Sequence, residues 1–229
     1  MKTLVIALVV VSSSAWAGSI SSGGGKYAGT EQNPWFLENT ETVHYCIDIG
    51  SGFRPSHEAA ASSVRYGIAK WKQVFNGALY DEPFYNPGQL EPYGDLRLAT
   101  QQFVEVPCSN GDVDLRFQFG RVTFAQALAL PSYREYIGVA VRTHYDPVTL
   151  RARGFIYIAA DSGPNRPQQP QFPEDPWSPA DNLLLRYTLV HELGHVFGVT
   201  HSDRFDVMDE RALDSLVREE TLRYPGVQE

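Results

Sequence analysis

The sequence predicts an α+β fold, in which strands and helices share one core. Runs that alternate between apolar and polar residues, typical of half-buried strands, occur at 42–49, 113–120, 137–143 and 154–159. Helical signals stand in two places, after Ser56 and after Ser178. The predicted order is therefore strand, helix, three strands and helix, and the sequence contains no internal repeat.

The composition of the 229-residue chain is that of a folded protein, since 43% of its residues are hydrophobic and only 20% are charged. These values exclude a disordered chain, a collagen and a coiled coil. The 27 acidic and 19 basic residues give a formal net charge of −8. This balance argues against a nucleic-acid partner, which would need a basic face, and against docking on an anionic membrane surface.

The first residues predict export. Residues 1–17 have the features of a signal peptide: Lys2, an apolar run at 4–11, and the small residues Ala15 and Ala17 before the cleavage point. The alternative is a buried N-terminal strand. Residues 18–34 are expected to form a flexible segment rich in glycine and serine, which leaves one domain at 35–229. No later run reaches 18 apolar residues, so we expect a secreted or periplasmic protein that is not membrane-embedded.

The first helix is predicted from a single apolar stripe. Ser56 is its expected N-cap and Gly77 its stop. Between them, residues spaced by three or four form one face: Ala60, Val64, Ile68, Trp71 and Phe75. The region 77–112 is rich in proline, glycine and tyrosine, and we expect a surface excursion with a short ribbon of 96–98 against 103–106.

Cys46 and Cys108 are the two cysteines of the chain, too few for a disulfide framework or a four-cysteine zinc site. Export would expose them to an oxidising compartment, where a single disulfide between them is one outcome. Two alternatives remain open. The cysteines could be buried free thiols, or one thiolate could ligate a catalytic metal.

Residues 164–179 carry a proline at every third position. Because polyproline II has three residues per turn, these rings would share one edge of a stiff surface strap. The alternative is a docking segment for a partner with aromatic grooves.

The second helix carries the candidate chemistry. Its sequence after Leu183 is almost uniformly apolar, yet it includes His191, Glu192 and His195. Residues four apart lie on one helix face, one turn apart, so both imidazoles suit a single tetrahedral zinc ion. Glu192 is rotated by about 100° from His191, and we expect it to reach a water molecule rather than the metal.

A third ligand is expected beyond the helix. Gly198 would end the helix in a left-handed conformation, and the reversed chain would return His201 to the metal. Three protein ligands leave a fourth position to water, as in catalytic rather than structural zinc sites. The alternative is that the histidines are core residues that share no ion.

The string HELGHVFGVTH at 191–201 has the pattern H-E-x-x-H-x-x-G-x-x-H and resembles the metzincin zinc proteases, which also carry a methionine turn below the metal. Met208 stands seven residues after His201, and Ser202 is similar to the matrixin branch. The resemblance implies a metzincin-type α+β fold. Such a fold has a twisted, mostly parallel sheet with one antiparallel edge strand, a long packing helix, a zinc-binding helix and a C-terminal helix.

The same resemblance implies further roles. Met208 would form an apolar floor under the histidines. The run 137–143 would be the edge strand that pairs with an extended peptide, through Val139, Ala140 and Val141. Matrixins often bind calcium, and three acidic turn residues are candidate ligands: Asp112, Asp114 and Asp161.

The sequence thus predicts an exported zinc endopeptidase that acts on peptide or protein substrates. One alternative is an exported non-catalytic protein in which zinc stabilises the fold and 164–179 binds a partner. Another is a zinc hydrolase with a non-peptide substrate. The sequence does not indicate an oligomeric state.

Overall fold

A five-stranded mixed sheet, with helices packed on one face, carries the candidate residues. The computed structural model describes residues 35–36, 40–50, 53, 55–75, 100–129, 137–146, 148–149, 151–159, 179–199, 201 and 206–208. Its elements are β1 (Thr42–Ile49), α1 (His57–Phe75), β2 (Gln102–Glu105), β3 (Leu115–Phe119), α2 (Phe124–Ala129), β4 (Gly138–Asp146), β5 (Arg151–Ile158), α3 (Pro179–Val196) and a 3-10 turn (Asp206–Met208).

The strand order in the sheet is β2-β1-β3-β5-β4. Strand β1 pairs in parallel with β2 and β3, and β3 pairs in parallel with β5. Strand β4 runs antiparallel to β5 at the edge. The predicted α+β class, with a mostly parallel sheet and one antiparallel edge strand, is confirmed. The predicted signal peptide, the flexible N-terminal segment, residues 164–178 and the C-terminal helix lie outside the described residues.

Alternation along the strands separates the two faces of the sheet. The helix-facing side chains are buried and form the main core: Val43, Tyr45 and Ile47 of β1, and Leu115, Phe117 and Phe119 of β3. Helix α1 presents its predicted apolar stripe to this layer. Its start is capped as expected, because the Ser56 Oγ accepts a hydrogen bond from the Ala59 N–H at 3.2 Å.

Helix α1 also holds α3 against the core. The buried Trp71 donates a hydrogen bond from Nε1 to the Val190 carbonyl at 2.6 Å. The two helices approach closely at Gly67, where an added Cβ would lie 2.8 Å from Leu193 Cδ1. The position of α3 is thus fixed by contacts with a distant part of the chain.

Strands β4 and β5 follow each other in the chain and pair antiparallel. Val139 and Val141 of β4 are buried on the face away from α1 and α3, whereas Ala140 belongs to the main core. The pairing shifts in register between Arg142 and His144, as in a β-bulge.

Two elements differ from the sequence prediction. Residues 102–105 form a strand, close to the predicted 103–106, but it pairs in parallel with β1, which was not expected; its predicted partner, residues 96–98, lies outside the described ranges. Helix α2 was not predicted. A capping box begins it, in which the Gln126 Oε1 accepts a hydrogen bond from the Thr123 N–H at 2.7 Å.

Cys46 and Cys108 form a disulfide that joins β1 to the loop after β2. The interpretations as free thiols and as a thiolate metal ligand are therefore wrong. Within the described ranges, no helix has the length and apolar character needed to cross a membrane. Both observations are compatible with the predicted export.

Two of the calcium candidates are bonded to arginines. Asp114 is fully buried, and its carboxylate accepts a hydrogen bond from the Arg151 Nε at 2.9 Å. Asp112 accepts one from the Arg153 Nη2, also at 2.9 Å. Guanidinium groups bind both carboxylates in this structure, and calcium binding by Asp112 and Asp114 stays a prediction. Asp161 lies outside the described residues.

Candidate metal centre

The end of α3 creates the turn that returns the chain to the histidines. Gly198 follows the helix with a φ of 85°. The Val199 N–H donates to the Gly194 carbonyl at 2.8 Å, and the Gly198 N–H donates to the His195 carbonyl at 3.0 Å. This is the Schellman pattern, in which a left-handed glycine ends the helix. The predicted stop at Gly198 is therefore confirmed, and His201 lies back beside the helix.

The imidazoles of His191, His195 and His201 converge through their Nε2 atoms. The Nε2 of His201 lies 3.1 Å from that of His191 and 3.1 Å from that of His195, and the latter two atoms are 3.2 Å apart. Three nitrogens bound to one tetrahedral zinc at about 2.0–2.1 Å would be about 3.3–3.4 Å apart. The triangle is therefore close to the size that one zinc ion requires.

The opposite ring nitrogens fix the tautomers of the two helical histidines. The Nδ1 of His191 lies 2.7 Å from the Val207 carbonyl oxygen, and the Nδ1 of His195 lies 2.9 Å from that of Val199. A carbonyl oxygen can only accept, so each Nδ1 must carry the proton and donate it. In the neutral ring the Nε2 then has a lone pair, and both lone pairs face the centre of the triangle. Such an arrangement is favourable when a cation lies between them.

Burial keeps these two rings neutral. It lowers the pKa of His191 to about 4, against a smaller opposing effect from the hydrogen bond to Val207. Burial also lowers the pKa of His195 well below its ordinary value, and the neighbouring His191 and His201 lower it further. Metal ligation requires the neutral imidazole, so the protein interior prepares both side chains as ligands at neutral pH.

The three histidines differ in exposure, which leaves one side of the cluster open. His191 and His195 are 4% and 1% exposed, whereas the His201 side chain is exposed to solvent. In the described part of the chain, these three form the one group of His, Cys, Asp or Glu whose ligand atoms all lie within 4.8 Å of one another. No fourth side chain among those residues completes the set, so the donor set fits a metal with a vacant position for water or substrate.

Met208, the predicted methionine-turn residue, packs against α3 at Gly194. It is fully buried in the 3-10 turn, and its Sδ would lie 2.5 Å from a Cβ added to Gly194. The same Cβ would meet Trp71 Cζ2 at 2.7 Å. Gly194 therefore lets Met208 and Trp71 reach the backbone between the two helical histidines.

Glu192 follows the first histidine and is 2% exposed. Its side chain contacts the start of the edge strand β4, where a Cβ added to Gly138 would lie 2.9 Å from Glu192 Oε1. The predicted edge residues Val139, Ala140 and Val141 follow directly along this strand.

No protein-family model matches the chain, and no curated protein matches it in sequence. The site is therefore interpreted from its geometry and its chemistry.

Sequence reasoning missed several residues that build this site. The carbonyls of Val199 and Val207 carry no side-chain signal, although the glycine stop indicated where the first of these would lie. Gly138 and Gly194 stand in unremarkable strand and helix contexts. Their importance comes from contacts with distant segments, which periodicity does not reveal.

Proposed function

We propose that this protein is an exported zinc-dependent endopeptidase of the matrixin-like metzincin type. The observation that carries the proposal is the triangle of Nε2 atoms, 3.1–3.2 Å apart, on rings whose Nδ1 atoms donate to backbone carbonyls. Glu192 on the same helix supplies a buried carboxylate. Three imidazoles with an open position fit a catalytic zinc site, and zinc, rather than another metal that imidazole binds, is the ion that the matrixin-like resemblance implies.

The chemistry divides between the ion and the chain. Zinc bound by the three histidines would lower the pKa of a water molecule and polarise the carbonyl of the scissile peptide. Glu192 accepts the proton of the attacking water as general base and donates it to the leaving amine as general acid. His191 and His195 keep their orientation because Val207 and Val199 hold their Nδ1 atoms.

The edge strand β4 supports a peptide as the substrate. It pairs with β5 on one side and is the last strand in the sheet order among the described residues, where its outer side offers backbone groups to an extended chain. In the proposed complex the peptide pairs with Val139, Ala140 and Val141, which places it beside Glu192. The mostly parallel sheet and the buried Met208 agree with the matrixin-like resemblance.

The proposal is tested with casein and a peptide library. Cleavage should stop after treatment with a chelator and return when zinc is restored. Glu192→Gln should retain one zinc ion and lose about 10²–10⁴-fold in kcat, the contribution expected of a general base. Glu58→Gln, at an exposed carboxylate on α1, is the matched control and should cleave normally.

Two outcomes would contradict the proposal. Wild-type activity in purified Glu192→Gln would remove the role of the base. A protein that binds zinc tightly but cleaves no peptide would instead support the alternative of an exported, non-catalytic binding protein. Hydrolysis of a non-peptide substrate would support the alternative of a zinc hydrolase that does not act on peptides.

A further inference from the structure

Gly138, the first residue of β4, lies directly against the carboxylate of Glu192. A Cβ built on Gly138 would be 2.9 Å from Glu192 Oε1 and 3.1 Å from Glu192 Cγ. It would also be 2.5 Å from the Cγ2 of Thr188, one helical turn before Glu192. Real Cβ atoms do not make contacts this short, so any side chain at 138 requires the facing groups to move.

Backbone conformation does not explain the glycine at this position. The described glycines with a positive φ are Gly120 and Gly198, and Gly138 is not among them. An L-residue can therefore adopt its backbone, and glycine inside a strand lowers stability relative to alanine. The remaining explanation for glycine at position 138 is the space that the missing Cβ leaves for α3.

The small residues of β4 continue on the helix-facing side. Gly138 and Ala140 stand two positions apart and point to the same face, and both are buried. This pair lets the edge strand lie close to the part of α3 that carries Glu192. The contact thus connects the strand proposed to pair with the peptide to the proposed base.

We propose that Gly138 is a positioning residue for Glu192: the missing side chain at 138 sets where the carboxylate lies relative to the edge strand. The inference rests on the proposed function for its catalytic consequence, but the contact itself does not depend on activity. A displacement of about 1 Å is enough to lower a catalysed rate by about 100-fold.

The contact is tested first in the metal-free protein by urea unfolding. Gly138→Ala should lower the urea midpoint, and the loss should be smaller in a Glu192→Ala background because the facing carboxylate is gone. Gly111→Ala is the matched control, since an added Cβ there meets nothing within 4 Å and the backbone permits alanine, so its midpoint should stay the same or rise slightly. If Gly138→Ala does not fold, the comparison is made in a Thr188→Ser background, which lacks the methyl group closest to the added Cβ. Gly138→Ala is then measured there with and without Glu192→Ala.

The result that would overturn the proposal is specific. Gly138→Ala could lower the urea midpoint equally with and without Glu192→Ala, and by less only in the Thr188→Ser background. That result would mean that Gly138 makes room for Thr188 alone. Gly138 would then be a packing residue without an effect on Glu192.

The catalytic consequence is tested in the zinc-loaded protein. Gly138→Ala should lower kcat by about 10–100-fold while KM and the bound zinc stay unchanged, because substrate and metal contacts remain. Gly67→Ala crowds α3 from the opposite side, at Leu193, and should lower the unfolding midpoint without this loss of kcat. An equal loss of kcat in both variants would overturn the positioning role. An inactive wild-type protein would instead refute the proposed function and leave the unfolding result to decide the contact.

Discussion

The Val207 carbonyl oxygen accepts a hydrogen bond from the Nδ1 of His191 at 2.7 Å. This bond links the turn that ends in Met208 to the first histidine of α3, which lies 16 positions earlier. The 3-10 turn Asp206–Met208 therefore contacts the site through its backbone as well as through the packing of the Met208 side chain.

Removal of His201 should separate metal binding from folding. We expect His201→Ala to weaken zinc binding by more than about 100-fold, since the loss of outer partners alone costs 10–100-fold. The side chain is exposed, so the free energy of unfolding of the metal-free protein should change by less than about 0.5 kcal/mol. Zinc content and chemical denaturation measure the two effects. His144→Ala, at another exposed histidine, is the control, and full zinc occupancy in His201→Ala would contradict the assignment.

Acid should destabilise the metal-free protein over a defined pH range. The pKa of His191 is about 4 in the folded state and about 6.5 in the unfolded state, so the unfolded chain binds more protons between these values. The stabilisation is fully present above pH 6.5 and is lost as the pH falls towards 4, by about 3 kcal/mol for this group. Urea unfolding at a series of pH values measures the loss. His191→Gln should show a shallower pH dependence, and an equal slope in both proteins would count against the buried neutral ring.

Gly194→Ala should destabilise the protein although alanine favours a helix. The new methyl group would collide with Met208 and Trp71, and overpacking of this kind costs about 1–3 kcal/mol. We also expect weaker zinc binding, because the collision lies between His191 and His195. Denaturation and zinc titration test both effects, with Gly111→Ala as the control. Higher stability in Gly194→Ala would show that the helix propensity of alanine outweighs the contact.

Reduction of the disulfide should lower stability and leave the metal site intact. Cys46 and Cys108 are 62 positions apart, and the closure of a loop of this length contributes about 4 kcal/mol in the chain-entropy model. Cys46 alternates with Tyr45 and Ile47 and so points away from the helix-facing core. Cys46→Ala/Cys108→Ala should therefore unfold earlier in urea but bind zinc normally. An unchanged midpoint after reduction would mean that the bridge adds nothing to the fold.

The sequence predicted those features that depend on local patterns. The four-residue spacing of His191 and His195 places both on one face of any α-helix, and Gly198 and Ser56 carry their capping roles in their residue types. A strand at 103–106 was predicted, but the parallel pairing of β2 with β1 could not be. Strand β2 has four residues, is mostly exposed, and pairs with a strand some 60 positions away in sequence.

One further feature has a sequence signal that was not recognised, and another depends on contacts between distant segments. The Thr123–Gln126 capping box marks the start of α2, although the helix that follows is short. The space left by Gly138 depends instead on how β4 packs on α3. That packing is a property of the assembled core, so no reading of residues 137–143 alone could have found it.

The register shift between Arg142 and His144 has a consequence for how molecules of this protein meet one another. A bulge bends its strand and interrupts the ladder of backbone groups, so the regular stretch of β4, the outermost strand among the described residues, ends near Arg142. Short, bent edges discourage sheet-to-sheet association and aggregation. A small ligand in extended conformation can still align with the first half of the strand, whereas a second copy of the sheet would lack a long straight edge to join.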